Sequence, residues 1–398
     1  MIRLSPLAVA AAIVLGLGAS APVAGQALSS ESAPSAGWTV TPGLLVNSSW
    51  DDNALARGRH DQTPADLINI LSPRLNVDFR GRRGQIDADY EGAIRLYREL
   101  TSLNSYDHRG SFSARVLASR HVTLFARESI TQAPTTELIE LIGVPYVRTG
   151  STSQYLQGGV EAALSKRTTV GGAYNFQLVR FGDSTLLAFP LRGGHSHGGQ
   201  ATVRHALTER TAIIGEYANQ YAWVGTSGEM FVVQRGDTGI EHQITPNARI
   251  FGAFGFAHLN VTTAGPARTG PSWRAGFRQE FEPATLDVAY SRSFVPSYGF
   301  GGGTQQNEEF SVSGLAPLSR NVYTQGAFLW RINEPLTIGG LKLHSWYLRS
   351  AVGYAMAPWA RLEGFYDMTS QAIDRPGGDL GRRRIGAQII TNKPMRIR

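Results

Sequence analysis

The amino-acid sequence predicts an all-β chain: a single closed antiparallel transmembrane β-barrel of about 18 strands (16–18), with short periplasmic turns and longer extracellular loops. Three observations carry that expectation. Arms of roughly ten or more residues alternate apolar and polar side chains. Tight polar turns recur every forty residues or so, with longer Gly- and Pro-rich connections between them. An export signal opens the chain.

The stretch from Pro73 to Tyr97, PRLNVDFRGRRGQIDADYEGAIRLY, sets the pattern. Leu75, Val77 and Phe79 alternate with Arg74, Asn76 and Asp78. After the turn RGRRG, Ile86, Ala88, Tyr90, Gly92, Ile94 and Leu96 alternate with Gln85, Asp87, Asp89, Glu91 and Arg95. Successive strand side chains point to opposite faces, so each arm has one greasy and one charged face. A soluble sheet alternates too, but arm length and charge density favour a tilted strand with lipid outside and water inside.

Short turns fall near 80–84, 118–121, 165–168, 207–210, 245–248, 282–284, 317–320 and 357–360. Longer connections fall near 51–64, 98–105, 132–148, 181–195, 224–229, 261–270, 295–305, 332–340 and 370–381. Both ends of the chain then lie on the short-turn side, as in the outer-membrane arrangement. Among the later arms, Trp273, Ala275, Phe277 and Phe281 face away from Arg274, Arg278 and Glu280, and Leu362, Gly364, Tyr366 and Met368 from Arg361, Glu363 and Asp367. Phe112, Ala114 and Val116 likewise oppose Arg115. Two arms, 211–223 and 248–260, are apolar on both faces in places, and 341–356 changes phase part-way. A propeller shares the forty-residue period, but it needs four short strands per period rather than two long ones. Trp38, Trp50, Tyr97, Tyr106, Tyr221, Trp223, Trp330 and Trp359 lie near strand ends, where a membrane barrel carries its aromatic girdles.

Residues 1–25 read as a signal peptide, with Arg3 followed by LAVAAAIVLGLGA, and 26–36 as a disordered Ser-rich lead-in. That leaves 37–398 as the barrel. The 398 residues carry a net charge of +7 and contain no cysteine, so thiolate metal sites, disulfides and cysteine catalysis are excluded. The basic residues sit in turns and at the end rather than in one stripe, which argues against nucleic acid.

Two stretches together, TPGLLVNSSWDDNAL and ADLINILSPRLNVDFRGRRGQIDADYEG, resemble the β-barrel porin 2 family of bacterial outer-membrane proteins, over residues 40–92. The resemblance implies an outer-membrane barrel, and for some members an association with exopolysaccharide export. The chain departs from many outer-membrane barrels in ending PMRIR rather than on an aromatic residue. Pro394 also confines the last strand to an edge or end position.

Candidate chemistry is sparse. Gly194-His195-Ser196-His197-Gly198 matches G-x-S-x-G, but a nucleophile elbow needs a following helix and the next residues read as a strand. His195 and His197 share a strand face and could bind a metal, yet no third ligand is near in sequence. Glu308 and Glu309 read as solvated at a loop junction. The residues expected to line the lumen are Arg74, Asp78, Asp87, Asp89, Glu91, Arg95, Arg115, Arg274, Arg278, Glu280, Arg361 and Glu363. Asp87, Asp89 and Glu91 are expected to pair across strands with Arg74 and Arg95. Such a mixed interior suits a polar, hydrated passage more than a strongly ion-selective pore.

The expected function is a porin-like channel or export conduit, for instance for exopolysaccharide. The alternatives are a barrel hydrolase and a structural barrel plugged by its own loops. Expected partners are outer-membrane lipid and lipopolysaccharide, polysaccharide or small polar solutes, and periplasmic export components. No cofactor, metal or nucleic acid is expected.

Overall fold

A computed structural model describes residues 37–58, 63–136, 146–182, 191–225, 229–261, 267–281, 284–298, 303–336, 340–374 and 379–397. The expected signal peptide and Ser-rich lead-in lie outside the described residues. The first nine strands are β1 (Gly37–Asp51), β2 (Asp66–Arg80), β3 (Gly84–Tyr97), β4 (Ser105–Leu117), β5 (Val122–Ala133), β6 (Ser151–Ala163), β7 (Thr168–Phe181), β8 (Gly194–Ala206) and β9 (Thr211–Val224). Then follow β10 (Glu229–Thr245), β11 (Ala248–Val261), β12 (Arg268–Phe281), β13 (Ala284–Pro296) and β14 (Thr304–Pro317). The chain finishes with β15 (Val322–Pro335), β16 (Leu343–Ala357), β17 (Ala360–Ile373), β18 (Leu380–Asn392) and the short β19 (Met395–Ile397).

Each strand pairs antiparallel with the next, from β1–β2 through β17–β18. The sheet then closes on itself, with Gly43–Asp51 of β1 against Arg384–Asn392 of β18. Closure leaves no ladder of unpaired backbone groups, which hydrocarbon would not satisfy. Pro394 falls in the two-residue break between β18 and β19, where it costs no ladder hydrogen bond. Lys393 N–H bridges that break to Pro42 O at 3.1 Å, and β19 re-pairs with Trp38–Val40. The long arms therefore number eighteen, and the short turns and longer connections alternate as the sequence predicts.

Exposure separates the two faces of the wall. In β1, Leu44, Val46 and Trp50 are 38–46% exposed, whereas Ser49 and Asp51 on the opposite face are 2% and 0%. Leu71 and Leu75 of β2 lie outward beside β1, and Ser72 between them is buried. The outer wall continues through exposed Phe112, Leu124, Leu156, Tyr174, Val203, Tyr217, Phe254, Val352, Leu362 and Ile385. A closed sheet that is apolar outside and polar inside is a membrane-spanning barrel. The protein is an outer-membrane β-barrel.

Three readings change. Tyr97 is not a girdle residue: it is 5% exposed and points inward beneath a cluster with Ala54 and Ile68. Glu308 and Glu309 lie inside β14 rather than at a solvated junction. Glu309 is buried against Arg331 at 2.8 Å, and Glu308 faces outward and accepts a hydrogen bond from Tyr290 Oη. In β16 the pairing is regular from Leu343 to Ala355, and the register shifts only at Ala355/Ala357, beside the turn.

Candidate permeation pathway

The inner wall is built from the polar residue of each in–out pair, so charges meet mainly across neighbouring strands. On β2–β4, Arg74 meets Glu91 at 3.0 Å, and Ser72 Oγ donates to the same carboxylate at 2.9 Å. Asn76 Nδ2 donates to Asp89 at 2.9 Å and to Asp87 at 3.3 Å. Arg80 holds Asp78 at 2.8 Å. Arg95 pairs with Asp107 on β4 at 2.5 Å rather than with the β3 carboxylates. Arg115 reaches across β5 to Glu161 on β6.

On β9–β12, Arg235 and Arg274 converge on Glu216 and Asp237. Arg235 pairs with Glu216 and lies 2.9 Å from Asp237, while Arg274 lies 2.8 Å from Glu216. Ser272 Oγ donates to Asp237 at 2.6 Å. Arg278 sits between Glu280 at 3.0 Å and Asp287 at 3.7 Å. On β15–β18, Glu363 is 1% exposed and collects Tyr323 Oη at 2.5 Å, Gln388 Nε2 at 2.7 Å and Arg361 at 3.4 Å. Asp367 nearby binds Arg384 at 2.7 Å. Each of these charged side chains stands on the inner register of its strand with a partner of the opposite charge or an amide.

Sequence reasoning missed two segments that turn into the barrel at its extracellular end. The first is the β5–β6 connection. Its neck is fastened by Thr136 N–H to Val147 O at 3.0 Å and by Val147 N–H to Thr136 Oγ1 at 2.8 Å. Beyond the neck, Tyr146 N–H donates to Gln371 of β17 at 2.8 Å, and Arg382 of β18 lies 4.8 Å over the Tyr146 ring. Arg382 itself is held by Asp51 at 2.5 Å. Arg148 donates to Ala54 O at 3.1 Å, Tyr97 Oη at 3.0 Å and Leu103 O at 3.3 Å, and sits 4.9 Å from the Tyr97 ring centroid. Tyr146 and Arg148, which lie between β5 and β6 in the chain, thus reach β17, β18 and β3 across the mouth of the barrel. Tyr97, two residues beyond Arg95 on the same inner face of β3, is what Arg148 docks on.

The second segment is the end of the β13–β14 hairpin. Pairing of β12 with β13 stops at Trp273–Arg292, whereas β13–β14 pairing runs on to Pro296–Thr304. The freed end leans over the inner side of β12. A Cβ on Gly270 would stand 2.7 Å from Phe294 Cζ, so only glycine leaves room for that ring. Phe294 and Tyr298 complete an apolar core with Val179, Val224, Phe231, Val233, Ala257 and Leu259. Gly193, at φ +60°, donates its N–H to Tyr298 O at 3.1 Å and so ties the hairpin to the β7–β8 connection. Burial pushes the Tyr298 phenol up to about 12.

The G-x-S-x-G stretch lies within β8 and adopts no strand–turn–helix elbow. Ser196 is buried on the inner face and accepts from Gln220 Nε2 at 3.0 Å. His195 and His197 project to the outer face and stack on Trp223 at 5.0 and 5.1 Å. A nucleophile and base on opposite sides of one strand cannot form a catalytic pair. Among the described residues no cluster of three His, Asp or Glu has metal-binding geometry.

No protein-family model matches the chain, and no curated protein sequence does. Solved structures similar to it include a BenF-like porin from Pseudomonas fluorescens Pf-5, at 12% identity over 91% of this chain and 99% of that chain, with a TM-score of 0.47. The outer membrane protein opdK from Pseudomonas aeruginosa gives 11% identity over 90% and 99%, with a TM-score of 0.45. Acinetobacter baumannii OccAB3 gives 10% identity over 90% and 99%, also at 0.45. At this level the likenesses add no argument of their own: the strand pairings and apolar outer wall of this chain are what make it an outer-membrane β-barrel.

Proposed function

We propose that the protein is a passive channel for small polar solutes, gauged at its extracellular mouth by the β5–β6 connection and the β13–β14 hairpin. The observation that carries this reading is the crossing of the mouth by Tyr146 and Arg148, anchored on β17, β18 and β3. A structural barrel would not need a hydrated, charge-lined wall, and a conduit for a long polymer would not place an anchored strap across its exit. Exopolysaccharide export and periplasmic export components find no support in this geometry. Arg74, Asp78, Asp87, Asp89, Glu91, Arg95, Arg115, Arg274, Arg278, Glu280, Arg361 and Glu363 line the path below the mouth. Because their charges are matched, selectivity between anions and cations is weak and size decides passage. The outer wall takes lipid, with lipopolysaccharide on the loop side.

Planar-bilayer recording and liposome swelling test this reading. Purified protein is expected to give discrete conductance steps, a reversal potential near zero in a salt gradient, and swelling rates that fall steeply from monosaccharides to oligosaccharides. A silent bilayer would instead make it a plugged barrel. Equal passage of long oligosaccharides would overturn the strap as the gauge.

A further inference from the structure

Among the described residues, the middle of the outer wall holds one charged group that lipid does not suit. Glu128 lies midway along β5, outward, between Phe112 on β4 and Leu156 on β6, both exposed apolar side chains. The other described charges that face outward by register, Arg180, Arg292, Glu308, Glu334 and Arg383, lie in the extracellular halves of β7, β13, β14, β15 and β18. Three of them are matched on the wall: Arg292 donates to Gln306 at 2.7 Å and covers the Trp273 ring at 4.7 Å, Glu308 accepts from Tyr290, and Glu334 pairs with Lys342 at 2.5 Å. Among the described residues, no cation pairs with Glu128. Its contact is the amide of Gln154 on β6, which donates to Oε1 at 3.0 Å. A carboxylate facing hydrocarbon at mid-height is costly, and such groups face protein or water wherever they persist.

We propose that the outer face of β4–β7 is a self-association surface, and that a second copy of this chain covers Glu128. Two barrels inserted in the same direction are related by an axis along the membrane normal, which keeps every residue at its own height. Across a two-fold axis at this face, Glu128 therefore meets Glu128 and Gln154 of the partner subunit. The second carboxylate oxygen gains an amide donor, and the two Gln154 carbonyls stay available for a proton carried by either acid. This four-group network satisfies within protein what lipid leaves bare. The wall around it alternates large and small: between exposed Phe112, Leu124, Ile130, Leu156 and Tyr174, the outward Gly110, Ala126, Gly158 and Gly172 leave gaps, and a Cβ built on Gly158 or Gly172 meets nothing nearer than 4.0 Å. The large side chains of one copy can thus seat in the gaps of the other around the acid. The interface is isologous, as most homodimer contacts are.

The absence of cysteine makes the test clean. Leu156→Cys places one thiol beside Glu128 and leaves the acid intact, and Val352→Cys places one on the outer face of β16 as a control. Both variants are oxidised in native outer-membrane fragments and run without reductant, with heat-modifiable migration as the check on folding. Leu156→Cys is expected to give a disulfide dimer as its main product and Val352→Cys almost none. Adding Glu128→Leu to Leu156→Cys is expected to cut the dimer at least fivefold while the barrel stays folded. Equal cross-linking at both positions, no cross-linking at Leu156→Cys, or a dimer that survives Glu128→Leu would each overturn the proposal.

Discussion

Replacing Arg148 by alanine should release the strap across the mouth. The guanidinium makes three hydrogen bonds, at 3.0–3.3 Å, and one cation–π contact at 4.9 Å. At a net of about 1 kcal/mol per hydrogen bond and about 1 kcal/mol for the ring contact, the clasp amounts to about 4 kcal/mol. Water in the mouth replaces part of that, since Arg148 is half-buried, which leaves about 2–4 kcal/mol. At 1.4 kcal/mol per factor of ten, the ratio of docked to released strap falls by about 30- to 1,000-fold. Single-channel recording is the assay. Arg148→Ala is expected to raise the conductance and add open-channel noise, and Arg148→Lys to fall between the two, because a lysine cannot hold three acceptors at once. Tyr97→Phe, which loses one acceptor, should produce the mildest change. A current trace of Arg148→Ala identical to wild type in amplitude and noise would refute the strap as the constriction.

Phe294→Ala removes the ring that roofs the inner apolar core, at a cost of about 3 kcal/mol, and is expected to free the hairpin and widen the mouth; larger sugars should then enter in swelling assays. Gly270→Val should do the same from the opposite side, by driving the ring off β12. The Tyr298 phenol is raised to about 12 by burial, so the docked hairpin favours its neutral form. Its contribution is whole below about pH 10 and is lost as pH rises from about 10 through about 12, by up to about 3 kcal/mol. Conductance should rise reversibly over that range, and Tyr298→Phe should blunt the rise. Asp237→Asn leaves Arg235 and Arg274 with Glu216 as their remaining carboxylate, and should move the reversal potential in a salt gradient toward anion preference by several millivolts or more.

The barrel was legible because its two signals are local. Alternation fixes which side of a strand is greasy, and turn residues mark where strands end. The mouth was not legible, because what folds into it is decided by partners far along the chain. The alternation of β3 already puts Tyr97 on the face of Arg95, but nothing local says that Arg148, fifty-one residues on, is its partner. The arms 211–223 and 248–260 resisted a clear alternation for the same reason. Ala222, Ala257 and Leu259 face inward, and Val224 just beyond the first arm does too; Val224, Ala257 and Leu259 form the bed of a hairpin from β13–β14. An inner wall under a protein lid is dry and apolar, so the period-two signal fades where the lid sits. Arg95 shows the limit for charge pairs: a sequence places it on the charged face, but the register decides that Asp107 is its partner.

Cysteine scanning along β3 tests the central claim most directly. The account predicts that single cysteines at positions 87, 89 and 91 react with a bulky water-soluble thiol reagent added to intact membranes, while those at 88, 90 and 92 do not. A fluorophore at 88, 90 or 92 should in turn be quenched by spin-labelled lipid. Reactivity that is uniform along the strand, or quenching without alternation, would contradict a water-filled barrel with lipid at its outer wall.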